Sequence, residues 1–170
     1  MSAPDPASAA QPGGTAAAWP GHCLCGHVRY ELTAPPLTCY ACHCTDCQRR
    51  TGGAMRLVMW VHRSAVQVTL GTPVLLEFDG AGGRPRRSRA CARCDTRLWA
   101  EPPNQPELAM LFPGTLENPR AFEPVAHLWL RSALPWTLIP PGAVRYDTQP
   151  EDPHELIRLW RAARAADRLP

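Results

Sequence analysis

The sequence predicts a mainly β fold of short antiparallel strands followed by one C-terminal α-helix. Three observations carry that prediction. Proline supplies 20 of the 170 residues, against a usual share of about 5%, and this favours short strands and ordered loops over long helices. Apolar residues recur in short runs bounded by Gly and Pro, and only the last twenty residues repeat at helical spacing. Eight cysteines, at 23, 25, 39, 42, 44, 47, 91 and 94, fall largely into C-x-C and C-x-x-C pairs, so metal is expected to pin the strands together.

Composition narrows the function classes. The net charge is +3 and every one of the 18 basic residues is arginine, which removes Schiff-base chemistry and any phosphate-loop lysine. So small a charge does not by itself point to nucleic acid as a partner. The start of the chain has neither a charged segment nor an apolar core, so it does not read as a signal peptide. C-x-C cysteines make poor disulfide partners but common metal ligands, so the thiols are expected to be reduced and the protein cytoplasmic. No apolar run approaches the ~20 residues needed to cross a membrane.

In order along the chain, residues 1–18 are rich in Ala, Pro, Gly and Ser and are expected to form a disordered tail. The domain proper is expected over 19–149. It opens with Gly21 to Leu32, which reads as a strand entered through a metal knuckle and broken by Pro35-Pro36. Leu37–Ala41 is a short strand leading into Cys42-His43-Cys44-Thr45-Asp46-Cys47, and Gly52-Gly53 gives the turn after it. Met55–Val61 is a buried strand, and Val66–Leu70 and Val74–Phe78 form two more around a Gly71-Thr72-Pro73 turn. A glycine loop at 80–83 precedes an arginine run and a second knuckle, Cys91-Ala92-Arg93-Cys94. Strands follow at Leu98-Trp99, Leu108–Phe112 and Ala126–Leu130, and Ser132–Pro141 is expected to be a surface loop packed by Trp136.

The helix is expected within 150–170. Asp152-Pro153-His154-Glu155 offers an N-cap, a proline at N1 and a glutamate at N3. Leu156, Leu159, Trp160 and Ala163 then recur on one face. Such a stripe is expected to dock on its own domain, with the arginines outside.

The cysteines divide by spacing. Cys23-x-Cys25 and Cys91-x-x-Cys94 come from distant parts of the chain and make a closed, structural four-thiolate site. Cys42, Cys44 and Cys47 put three thiolates around a second ion and leave one tetrahedral position open, the mark of a catalytic zinc. Alternation along a strand turns Cys39 away from that group. Closure of the second site by Cys39, or ligation by His43, is the competing arrangement.

These residues resemble a known family. G-x-C-x-C-G-x-V-x-Y at 21–30, C-H-C-x-x-C-x-x-x-x-G-G at 42–53 and C-x-x-C-x-T-x-L at 91–98 are similar to the glutathione-dependent formaldehyde-activating enzyme family, which includes the domain of centromere protein V. Blocks at 114–119 and 127–136 extend the likeness to about residue 146. The resemblance implies a β-tent fold with two Zn²⁺ per chain, structural on Cys23, Cys25, Cys91 and Cys94 and catalytic on Cys42, Cys44 and Cys47. It also implies a carbon–sulfur lyase type of enzyme that joins glutathione or another thiol to formaldehyde or a related aldehyde. Asp95 stands where the family has glycine, and Asp tolerates a left-handed turn.

Substrate contacts are expected from arginines, whose paired donors suit the carboxylates of glutathione. Arg49 and Arg50 are the first candidates, with Arg84, Arg86 and Arg87 behind them. His43 is a candidate proton shuttle, and His127 a candidate pocket residue or a structural one. Trp129 and Trp136 read as packing residues. The rival from another class is a non-catalytic zinc module whose arginine-rich hairpin, with six arginines between 84 and 97, binds nucleic acid or a protein.

Overall fold

The structure is a computed structural model that describes residues 18–166. The expected tail at 1–18 therefore lies, but for Ala18, outside the described residues. Eleven strands are present among the described residues. β1 (Trp19–His22), β2 (Arg29–Leu32) and β5 (Val66–Leu70) make a small antiparallel sheet in the order β1-β2-β5. The large sheet takes β3 (Thr38–Cys42), β4 (Arg56–His62), β6 (Val74–Asp79), β7 (Pro85–Ala90), β8 (Arg97–Ala100), β9 (Leu108–Leu111), β10 (Ala126–Leu128) and β11 (Val144–Arg145). Its order is β11-β10-β3-β4-β9-β8-β7-β6. Two helices complete the fold, α1 (Thr45–Thr51) and α2 (His154–Ala165).

Alternation gives the large sheet two different faces. On one face Met59, Val61, Trp99 and Leu111 join Tyr30 and Leu32 of the small sheet in one buried cluster. Tyr30 meets Trp99 edge to face at 5.9 Å. On the other face Tyr40, Cys42, Val58 and Leu128 form a second cluster with Leu156 of α2. Cys39 belongs to the first cluster and Cys42 to the second, so one odd step along β3 separates the two thiols.

The terminal helix docks as its stripe requires. Leu156, Trp160 and Ala163 are buried, and Thr38 Oγ1 donates to the Leu156 carbonyl at 2.9 Å. The Asp152 carboxylate caps the His154 N–H at 2.9 Å. Truncating the helix would therefore open the core.

Several expectations are corrected. The stretch from Gly21 to Leu32 is a hairpin, β1 and β2, with the knuckle as its turn. β5 and β6 do not pair with one another. β5 completes the small sheet and β6 edges the large one, and the chain passes between them at Gly71, whose φ of 70° beside the His27 carbonyl leaves no room for a side chain. The strands are not all antiparallel, since β10 runs parallel to both β3 and β11. β10 ends at Leu128, before the expected Leu130, because Trp129 takes a left-handed backbone at φ 62°. Trp136 does not pack its loop, for it is 69% exposed. Helix α1, which the sequence reading did not include, follows Cys44 and ends before the expected Gly52-Gly53 turn.

Candidate functional site

The first cysteine group joins the two sheets. The β1–β2 turn carries Cys23 and Cys25, and the β7–β8 turn carries Cys91 and Cys94, with all four sulfurs within 4.8 Å of one another. Sγ of Cys25 lies 3.6 Å from that of Cys23 and 3.7 Å from that of Cys91. Thiolates on a tetrahedral zinc at about 2.3 Å would stand about 3.8 Å apart, so the donor set fits the ion. The loops also solvate the sulfurs. The Val28 N–H donates to Cys23 Sγ at 3.2 Å, and the Thr96 hydroxyl lies 3.2 Å from Cys94 Sγ and holds that thiol down to about 5. Asp95 takes the left-handed backbone its position calls for, at φ 54°.

The second group is built by the end of β3 and the start of α1. Cys42 is the last residue of β3, Cys44 is the N-cap of α1, and Cys47 lies in its first turn, where its N–H donates to Cys44 Sγ at 3.4 Å. The three sulfurs lie within 4.8 Å of one another, and among the described residues no fourth Cys, His, Asp or Glu joins them. The neighbouring Cys42 and Cys47 thiols pull the Cys44 thiol down, while Cys44 and Cys47 push Cys42 up. Sulfurs this close cannot all ionise by sharing protons. A divalent cation lets them do so, and this set suits a soft one such as zinc.

This group lies on the wall of a cleft of about 780 Å³, a volume ordinary for a small-molecule site. Tyr40, Val58, Met110, Phe112, Leu128 and Trp129 give the cleft apolar lining, and Arg50, Arg56, Arg86 and Arg131 bring charge to it. Arg56 is only 9% exposed. Sequence reasoning passed over it because it opens an apolar run. Its visible signal was a charged residue at the start of a strand expected to be buried.

The other expected residues are placed as follows. Arg50 lines the cleft, whereas Arg49 is exposed on α1 and is not part of the lining. His43 is fully buried and is likewise absent from the lining. Its Nε2 lies 3.0 Å from Nδ1 of His127, with the rings stacked at 5.3 Å. Burial pushes both imidazoles down, toward the neutral form. Cys39 is fully buried on the opposite face, where burial raises its thiol to about 12. Trp129, expected to serve packing, lines the cleft.

The arginine-rich hairpin is largely engaged within the protein. Arg86 pairs with Asp46 at 3.8 Å, Arg87 with Glu77 at 2.6 Å and Arg89 with Glu101 at 3.0 Å. These pairings weigh against a phosphate-binding face. Among the described residues no helix is long and apolar enough to cross a membrane.

The chain belongs to the glutathione-dependent formaldehyde-activating enzyme family, whose model matches residues 18–132, more than half of its length. The matched segment contains both cysteine groups, and α2 lies beyond it. No curated protein matches the chain. Among solved structures, the crystal structure of a Rhodobacter sphaeroides protein is similar at 19% identity and a TM-score of 0.47, covering 75% of this chain and 98% of that one. Family membership supports a formaldehyde-activating, glutathione-related function, and both cysteine groups are compatible with metal binding.

Proposed function

We propose that the protein is a zinc-dependent carbon–sulfur lyase of the S-hydroxymethylglutathione synthase type, joining glutathione to formaldehyde or a related small aldehyde. The observation that carries this reading is the trio Cys42, Cys44 and Cys47, three converging thiols that open on a cleft and have no fourth donor among the described residues. Cys23, Cys25, Cys91 and Cys94 serve as a closed structural zinc site.

Zinc on the trio would supply a coordination position at which an incoming thiol is held as its thiolate at neutral pH. The chain's own residues do the rest. Cys44 is fixed as the cap of α1, so the trio keeps its shape when a ligand enters. Apolar side chains around it, Leu128 and Tyr40 among them, limit water at the reacting sulfur. The buried Arg56 guanidinium lines the same cleft and favours negative charge there. As the sulfur attacks the carbonyl carbon, the C–S bond forms, the carbonyl π bond breaks, and its oxygen takes a proton from solvent. His43 lies behind this surface and supports the fold through His127.

Cobalt substitution tests the reading. Glutathione added to the Co²⁺-loaded protein should raise the thiolate-to-metal absorption, and S-methylglutathione should not. An unchanged spectrum with glutathione would exclude thiol binding at the trio.

A further inference from the structure

Next to the cysteine trio, one cluster of positive charge is only partly offset. Arg50 at the end of α1, Arg56 at the start of β4 and Arg97 at the start of β8 together line a recess of about 430 Å³. Arg50 and Arg56 also line the cysteine cleft, so the two share a wall. Arg56, 9% exposed, lies 4.6 Å from the Phe112 ring and has no hydrogen-bond or ion-pair partner among the described residues. Arg97 donates from Nη1 to the Arg50 carbonyl at 2.6 Å, and its Nε is buried without a partner. Arg50 donates to Ser88 Oγ at 3.0 Å and lies 4.1 Å from the Phe78 ring. Burial, and then the neighbouring Arg56 and Arg97, pull its guanidinium down to about 10.

Cations gathered in this way are costly unless an anion joins them. Asp95, the one carboxylate that lines the recess, is exposed on the knuckle turn. The cysteine trio offsets only part of the charge. Three thiolates with one Zn²⁺ carry −3 + 2 = −1, against +3 from the three arginines. Guanidinium forks match carboxylates through paired N–H donors, and these three leave most of their donors unused.

We propose that Arg50, Arg56 and Arg97 form a carboxylate-binding site that holds an acidic end of the thiol substrate while its sulfur reaches the cysteine trio. This rests on the reading of the cleft as a thiol site and narrows it. The substrates are acidic thiols such as glutathione, and neutral thiols bind only through sulfur.

The test is calorimetric titration of the full-length, metal-loaded protein with glutathione, glutathione diethyl ester and 2-mercaptoethanol, repeated with Arg97→Gln. Glutathione should bind at least about tenfold more tightly than its diester, the usual effect of a desolvated charge pair. Arg97→Gln, which alters the recess and not the cysteine cleft, should remove that advantage and leave diester binding unchanged. If the diester binds the unaltered protein as tightly as glutathione does, the carboxylate site is wrong and the thiol site stands. The carboxylate site is equally wrong if Arg97→Gln weakens both ligands alike. If none of the three thiols binds, the thiol site fails and the carboxylate site fails with it. The ester comparison decides alone should the variant not fold.

Discussion

Cys42 and Arg56 are direct partners across the antiparallel β3–β4 ladder. That register fixes a buried guanidinium beside the sulfur group. Burial lowers its pKa, and charge on Cys47, Cys42 and Cys44 opposes that fall by favouring the protonated form. A ligand entering the cleft thus meets sulfur and cation on one rigid ladder. Both sides of the proposed chemistry depend on this pairing.

The Cys23–Cys25–Cys91–Cys94 group should behave as a folding element. Metal binding to small zinc modules contributes on the order of 10 kcal/mol, comparable with a whole domain's stability of about 5–15 kcal/mol. Cys91→Ala should therefore leave no cooperative thermal transition by circular dichroism. A variant that melts within a few degrees of the unaltered protein would mean this site is dispensable.

Cys39 gives a pH signature. Burial raises its thiol from the ordinary value of 9.0 to about 12 in the folded chain. The folded state thus keeps a proton that the unfolded chain releases above about pH 9. Its contribution to stability is fully present below about pH 9 and is lost as pH rises from about 9 to about 12, at up to about 1.4 kcal/mol per pH unit. Denaturant titrations at pH 8 and pH 10 should show a smaller loss for Cys39→Ala than for the unaltered chain. Equal losses would place the thiol in contact with water.

Asp95 holds φ 54°, a conformation that costs most side-chain-bearing residues about 1–2 kcal/mol and that Asp tolerates better than most. Asp95→Gly should match or exceed the original melting temperature, and Asp95→Val should lower stability by about 1–2 kcal/mol. Equal destabilisation by both would show that the Asp side chain itself is needed.

Much of this arrangement was legible in the sequence. The two knuckles announce themselves by spacing, and the alternation that turned Cys39 from the trio is seen in β3. Helix α1 was not legible because it buries none of its residues, so it leaves no apolar stripe. Its signs were caps alone: Cys44 before it, Asp46 in the first turn, Arg49 and Arg50 in the last, and Gly52 at φ 66° after it. The parallel pairing of His127 with Ala41 was equally hidden, because no local pattern encodes a partner so far along the chain. Arg56 escaped notice because its role comes from its register with Cys42, not from its neighbours in sequence.

The terminal helix lies outside the matched family segment and yet belongs to the core. Trp160 is 1% exposed and joins the main buried cluster. Trp160→Ala should cost about 3–5 kcal/mol, read as a lower urea midpoint. A loss under about 1 kcal/mol would mean that α2 rests on the domain without supporting it.

Metal content per chain tests the central claim most directly, measured on the unaltered protein, Cys44→Ser and Cys39→Ser. The account predicts two zinc ions, one and two respectively, with glutathione bound by the first and third and not by the second. One zinc in Cys39→Ser, or two in Cys44→Ser, would contradict an open site built from Cys42, Cys44 and Cys47.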